Sequence, residues 1–103
     1  MAGFSKGALS AMARIFMEHS VEDYAKWRPV FDGDIARRDR IGLREIGVYR
    51  QANHPNEMLV VFEKDGSADE ARRLFAQTMS DPELQARMKE GGVKAPPKAW
   101  IVE

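Results

Sequence analysis

The two histidines of the chain lie in different surroundings, and one of them could transfer protons. His19 follows Ile15 and Met17 at alternate positions of a strand-like stretch, so the three side chains point to one side. An imidazole changes its charge near neutral pH, which suits it to removing a proton from a carbon or oxygen acid. The positive end of the helix that follows would favour the neutral ring. His19 is therefore our first candidate for a general base. The alternative is a histidine that bonds a backbone carbonyl and fixes the turn.

Four other side chains could contact a ligand. Tyr24 and Trp27 have the spacing of a packed helix face, and they could also offer a phenol and an indole N–H to a ligand. Arg50 and Glu63 fall on one face of two neighbouring strands, where they could pair, or Arg50 could stabilise a phenolate or enolate. We predict a catalytic role for His19 and Arg50, and substrate binding for Tyr24, Trp27 and Glu63.

Composition argues against several functional classes. Sixteen Lys and Arg residues balance sixteen Asp and Glu residues without a block of either sign, so we expect no nucleic-acid partner and no membrane surface. The chain has no cysteine, and His54 lies in the turn-like stretch "ANHPN", so neither a thiolate site nor a histidine metal site is expected. No stretch approaches the roughly 20 apolar residues of a membrane span. These features predict a cytoplasmic protein without a metal or other cofactor.

The length of 103 residues suits one domain. Residues 1–11 are rich in Gly, Ser and Ala and are predicted to be a flexible leader, with a single domain over residues 12–103. Hydrophobic periodicity predicts the elements of that domain in order. They are a strand over 13–19, a helix with Tyr24, Trp27, Phe31 and Ile35 on its buried face, the strands "LREIGVYRQ" and "EMLVVFEK" joined by "ANHPN", the helices "GSADEARRLFAQTM" and "SDPELQARMKEGG", and a strand over 98–102.

Local signals refine the helix ends. Ser20 and Asp23 predict a capping box before the first helix, and Ser67 with Glu70 predicts one before the second. Pro29 predicts a bend near residues 27–29, because it removes a backbone hydrogen bond. The charged stretch "ARRDR" is predicted to be an exposed helix face.

The element order predicts a ferredoxin-like split βαβ fold of the α+β class. A four-stranded antiparallel sheet would then carry helices on one face only. A hairpin register with Val48 opposite Val61 puts six residues on the bare face, namely Ile46, Val48, Arg50, Leu59, Val61 and Glu63. An apolar face of that size rarely stays exposed to water. We therefore predict a homodimer in which two sheets close around a cavity, forming an α/β barrel.

Three stretches resemble a known superfamily. "HSVEDYAKWRPVFD", "NHPNEMLVVFE" and "DPELQARMKEGGVKAPPKAWIVE" resemble the dimeric α/β-barrel proteins, above all small bacterial antibiotic biosynthesis monooxygenase-like and cyclase-like proteins. The resemblance covers roughly residues 12–103 and implies the fold, dimerisation and a cavity for a flat polyphenol. The superfamily includes cofactor-free monooxygenases, haem-degrading enzymes, muconolactone isomerases and polyketide cyclases, and the quoted stretches do not select one of these activities.

The predicted function combines both lines of reasoning. It is a small cofactor-independent enzyme of monooxygenase, isomerase or cyclase type that acts on an aromatic or enolisable small molecule. His19 would remove a proton, Arg50 would stabilise the oxyanion, and Tyr24 with Trp27 would line the pocket. The alternatives are a non-enzymatic ligand- or haem-binding dimer and a dimer whose cavity is filled by its own side chains.

Overall fold

The computed structural model of the protein describes residues 11–103. Of the predicted leader, only Ala11 lies among the described residues. The described elements are β1 (Met12–Ser20), α1 (Tyr24–Gly33), α2 (Ile35–Arg40), β2 (Arg44–Gln51), β3 (His54–Asp65), α3 (Ala68–Met79), α4 (Pro82–Glu90) and β4 (Lys98–Val102).

The four strands form one antiparallel sheet in the order β2–β3–β1–β4. Alternate residues of β1 are buried against α1 and α3, which share a hydrophobic core with the central strands. That core includes Ile15, Met17, Val60, Phe62 and Ala71. The predicted ferredoxin-like α+β fold, with helices on one face of a four-stranded antiparallel sheet, is therefore confirmed. Within residues 11–103, no helix is long and apolar enough to cross a bilayer.

The predicted register of the β2–β3 hairpin is wrong by one residue. Val48 lies opposite Val60, not Val61. The regular pairing stops between Arg50 and Gln51, and Gln51 pairs with His54 across a two-residue turn. The predicted five-residue loop left out this irregular start of β3, so every later pair was displaced.

This register moves two residues to the face that the helices cover. Val48 packs against the core, and Arg50 lies on the same side of β2. A bulge between Glu45 and Gly47 adds Ile46 to β2 without a paired residue. The open face consequently keeps Leu59, Val61 and Glu63 from the predicted set but not Val48 or Arg50.

The start of α1 is held by residues that differ from the predicted cap. Asp23 is the N-cap, and its carboxylate accepts a backbone N–H of the first turn at 3.0 Å. Ser20 belongs to β1, and its hydroxyl donates to Glu57 Oε2 at 2.7 Å. The backbone N–H of Tyr24 donates to Asn56 Oδ1 at 2.8 Å. The hairpin therefore fixes the position of the helix that follows β1.

The first helical segment is interrupted at Asp34 and not at Pro29. Helix α1 continues through Pro29 to Gly33, and α2 begins after Asp34. Ile35, predicted to be buried, is 55% exposed, whereas Asp34, Arg37 and Arg38 are buried. The prediction that "ARRDR" is an exposed face is therefore wrong for Arg37 and Arg38, whereas Arg40 is exposed.

The second pair of helices follows the prediction closely. Ser67 and Glu70 form the predicted capping box of α3, with each side chain bonded to the other residue's backbone N–H. Pro82 occupies the first turn of α4, where its missing N–H has no intrahelical acceptor to lose. Leu84 is the buried residue of α4 and contacts the same interior as α1.

Candidate functional site

The sheet and the helices line a cavity of about 70 Å³. Most of its wall is apolar, and three methionines contribute to it, Met17, Met79 and Met88. Sites for small molecules usually have volumes of about 300–1,000 Å³. A ring-shaped ligand would therefore need the wall to rearrange, and unbranched methionine side chains are well suited to such repacking.

His19 lies in the wall of this cavity and is 7% exposed. Its Nδ1 atom is buried and has no hydrogen-bond partner among the described residues. Its ring centroid is 5.9 Å from that of Trp27. Burial lowers the pKa of His19 to about 4, so the ring is neutral at pH 7. The neutral state was predicted, but its cause is burial and not the end of the helix.

Of the two predicted aromatic contacts, only Trp27 lines the cavity. Trp27 is buried and stacks on Phe31 with a centroid distance of 4.6 Å. Tyr24 is half-buried beside it, with a centroid distance of 6.0 Å. The outer face of Tyr24 carries the guanidinium of Arg50 at 3.9 Å from the ring centroid. Tyr24 therefore supports the wall from outside.

Arg50 and Glu63 lie on opposite faces of the sheet, so the predicted shared face is wrong. The Nε atom of Arg50 donates to the carbonyl of Pro55 at 3.1 Å, and the residue is exposed. The carboxylate of Glu63 pairs on the open face with Arg14 at 3.1 Å. Neither side chain lines the cavity beside His19.

The cavity wall contains a buried charged cluster of Asp34, Arg37 and Arg38, which the sequence did not predict. The Nε atom of Arg37 lies 2.8 Å from Asp34 Oδ2, and both side chains are 7% exposed. The guanidinium of Arg38 lies 3.9 Å above the ring of Phe31 and donates to that residue's carbonyl at 2.7 Å. Burial lowers the pKa of Arg38 below its ordinary value. The half-exposed Arg87 approaches Asp34 from α4 at 3.9 Å.

The sequence contained a signal for this cluster. Trp27, Phe31, Asp34 and Arg38 continue one helical stripe at spacings of four, three and four residues. Hydropathy favours Ile35 over Asp34 as the next buried residue, so the stripe was assigned to the wrong side chain. Charged residues can continue this stripe in the interior because Asp34 pairs with Arg37.

His54 stands exposed at the start of β3, away from the cavity. Among residues 11–103, no three His, Cys, Asp or Glu side chains are grouped closely enough to hold a metal ion. The polar and aromatic side chains in the cavity wall include His19, Trp27 and the buried charged cluster of Asp34, Arg37 and Arg38.

Neither a family model nor a curated protein matches the chain. Solved structures do match it. One is a protein from Bordetella bronchiseptica provisionally named an antibiotic biosynthesis monooxygenase, with a TM-score of 0.70, 15% identity, and coverage of 91% of this chain and 97% of that one. An uncharacterised NIPSNAP-like domain protein from Burkholderia xenovorans has a TM-score of 0.64, 15% identity, and coverage of 89% and 84%. The chain shares their fold.

A ferredoxin-like fold at this level of identity does not carry an activity with it. A protein from Caulobacter crescentus, also provisionally named an antibiotic biosynthesis monooxygenase, matches with a TM-score of 0.62 and 13% identity over 89% of this chain and 88% of that one. The resemblance noted in the sequence is thus confirmed as a structural one. What the fold does establish is the position of the cavity, between the sheet and the helices.

Proposed function

We propose that the protein is a small cofactor-independent enzyme in which His19 removes a proton from an aromatic or enolisable ligand bound between the sheet and the helices. The observation that carries the proposal is the buried Nδ1 atom of His19, which has no partner among residues 11–103. A buried polar atom without a hydrogen bond costs about 1–3 kcal/mol. An acidic O–H or C–H group of a ligand would give that atom a partner.

The low pKa of His19 shapes this chemistry. At a pKa of about 4, the ring of the empty protein is a weak base at pH 7. Proton removal, however, leaves a negative charge beside the new imidazolium, and a nearby opposite charge raises the pKa. The base therefore becomes effective only with a ligand whose anion is stabilised in the same cavity. Trp27, which forms part of the wall beside His19, would position the ring of the ligand.

The proposal does not depend on Arg50 or Tyr24, which stack on each other outside the cavity. Oxygenation, isomerisation and ring closure can all begin with the same proton removal. The provisional names of the Bordetella and Caulobacter proteins support the monooxygenase type among these. We also propose a cytoplasmic location, which the lack of cysteine in the chain supports.

We also propose that the enzyme acts as a homodimer through its open sheet face. Tyr49 and Trp100 on that face are 56% and 52% exposed. Trp100 lies opposite the half-buried Phe16 in the pairing of β4 with β1, and the buried Val61 lies opposite Phe16 on the other side. Large aromatic side chains exposed on one sheet face support an interaction site there.

The test of the catalytic proposal compares the two histidines. Purified protein is incubated in deuterated buffer with phenols, quinols and lactones, and NMR follows product formation and exchange at acidic carbon atoms. A general base contributes about 100-fold or more to the rate. The variant His19→Gln should therefore lose at least that factor with an accepted ligand. His54→Gln, which changes an exposed histidine, should react like the wild type, and wild-type rates in His19→Gln would refute the role.

The second candidate is a dimer that binds a ligand or haem without catalysis, or that fills its own interior. The cavity volume of about 70 Å³ favours the form that fills its own interior, because it leaves little room for a ligand. Titration with haem separates this candidate from the first. A saturable Soret band, absent in His19→Gln and retained in His54→Gln, would indicate haem binding at the cavity.

A further inference from the structure

The charges in the cavity wall do not balance. Arg37 and Arg38 contribute two positive charges from α2, and both side chains are buried. Asp34 contributes one buried negative charge, which Arg37 contacts at 2.8 Å. Arg87 has an acidic partner of its own on α4, Glu90, at 3.2 Å. The buried group formed by Asp34, Arg37 and Arg38 therefore has a surplus of one positive charge.

Arg38 carries this surplus. It is 3% exposed, and no carboxylate lies within 4.0 Å of it among residues 11–103. Three carboxylates act on Arg38 from further away, Asp34 most strongly, and each of them contacts another arginine. Arg37 lies 2.8 Å from Asp34, and Arg28 lies 3.6 Å from Glu45 and 3.1 Å from Asp32. Buried charges in proteins are normally paired, because burial without a partner costs several kcal/mol.

The geometry of Arg38 suits a flat anion. A guanidinium has five N–H donors in one plane, and the single hydrogen bond of Arg38 among the described residues goes to the carbonyl of Phe31. Its position 3.9 Å above the Phe31 ring fixes the orientation of that plane. Arg38 also lines the cavity that contains His19 and Trp27. A planar carboxylate matches such a fork, and one negative charge matches the surplus.

We propose that the cavity selects ligands that carry a carboxylate, which binds to Arg38 while the ring of the ligand lies against Trp27. This inference rests on the proposed function and specifies its substrate class, an aromatic or enolisable monocarboxylic acid. The bound carboxylate also gives the surplus positive charge a partner. Arg50, which was predicted to stabilise an anion, has no part in this selection.

The experiment uses two ligands of nearly equal shape that differ in charge. Isothermal titration calorimetry measures binding of 2-hydroxybenzoate and 2-hydroxybenzamide to the full chain at pH 7.5. Charge-assisted bonds to a guanidinium are roughly twice as strong as neutral ones, so the wild type should bind the carboxylate at least about tenfold more tightly. Arg38→Gln should reduce this preference to within about threefold. Arg40→Gln, which changes an exposed arginine of the same helix, should retain it.

Circular dichroism checks that each variant folds. If Arg38→Gln does not fold, Arg38→Lys takes its place, because it keeps the charge but not the planar fork and should retain a reduced preference. Equal wild-type binding of both ligands would overturn the carboxylate selection and leave the role of His19 intact. Survival of the full preference in Arg38→Gln would overturn the assignment to Arg38. Binding of neither ligand would overturn the inference together with the cavity as a ligand site.

Discussion

At the scale of single residues, the hydrogen bonding of one nitrogen atom distinguishes the possible roles of His19. A histidine that only fixed a turn would bond a backbone carbonyl, as expected for the structural alternative. The Nδ1 atom of His19 instead has no such partner among residues 11–103, and His19 lines an apolar cavity. The sequence predicted the strand position and the side to which the ring points. It could not predict the missing partner, because that depends on where the backbone of α1 ends up.

The lowered pKa of His19 predicts a pH-dependent stability. The unfolded chain protonates His19 near pH 6.5 and the folded chain only near pH 4, so the unfolded state binds more protons between these values. Stability is therefore complete above about pH 6.5 and falls toward pH 4, by about 3 kcal/mol at 1.36 kcal/mol per pKa unit. Urea unfolding of the wild type and of His19→Leu at both pH values measures this loss.

The variant separates His19 from the carboxylates that also titrate in this range. His19→Leu removes the unpaired nitrogen and keeps most of the volume, so it should be at least as stable as the wild type at pH 7. It should also lack the loss of about 3 kcal/mol on acidification. Parallel pH curves for the two proteins would contradict the burial of a neutral ring.

At the scale of elements, the sequence predicted the types and the order of the helices and strands well. It did not predict which face of one helix is buried or how two strands are aligned. The strand over 98–102, the capping box of α3 and the proline at the start of α4 were identified by local chemistry, and all three are present. The buried stripe after Phe31 and the register of the hairpin were not. The register depends on pairing between two strands, and the stripe depends on the buried pair of Asp34 with Arg37. Hydropathy along the chain encodes neither.

The observed buried stripe predicts that substitutions at two adjacent residues affect the stability of the protein very differently. Asp34→Asn should destabilise the protein by about 3 kcal/mol, because it leaves Arg37 buried without a charged partner. Ile35→Ala should change stability by less than about 0.5 kcal/mol, since Ile35 is mostly exposed. Chemical denaturation at pH 7 measures both. Comparable losses in the two variants would support the stripe predicted from hydropathy.

At the scale of the whole molecule, the open face of the sheet carries large apolar side chains that no helix covers among the described residues. The sequence predicts a bare face, and the observed register replaces Val48 by Tyr49 and Gly47 on that face. Gly47 matters because a Cβ atom there would lie 2.6 Å from the hydroxyl oxygen of Tyr49. The tyrosine ring therefore lies flat over the strand, and it adds an aromatic surface next to Leu59.

Dimerisation through this face can be tested by introducing one charged side chain on it. Trp100→Glu places a carboxylate within the proposed interface and should give a monomer, because an unpaired charge is costly to bury there. Light scattering after size-exclusion chromatography should then give the 11.7 kDa of one chain, against twice that mass for the wild type. Ile35→Glu, on the helical layer, should remain dimeric. A monomeric wild type would contradict the interface.

The pairing of β1 with β4 bears on how the protein is made. These are the first and last strands of the described chain, and Arg14 pairs with Val102. Synthesis delivers β3 well before β4, so one edge of β1 keeps free N–H and C=O groups until β4 emerges from the ribosome. Such an edge is a template for strands of other chains. Completion of the sheet therefore waits for a long-range closure, which slows folding and makes the newly made chain most exposed to aggregation just before Trp100 arrives.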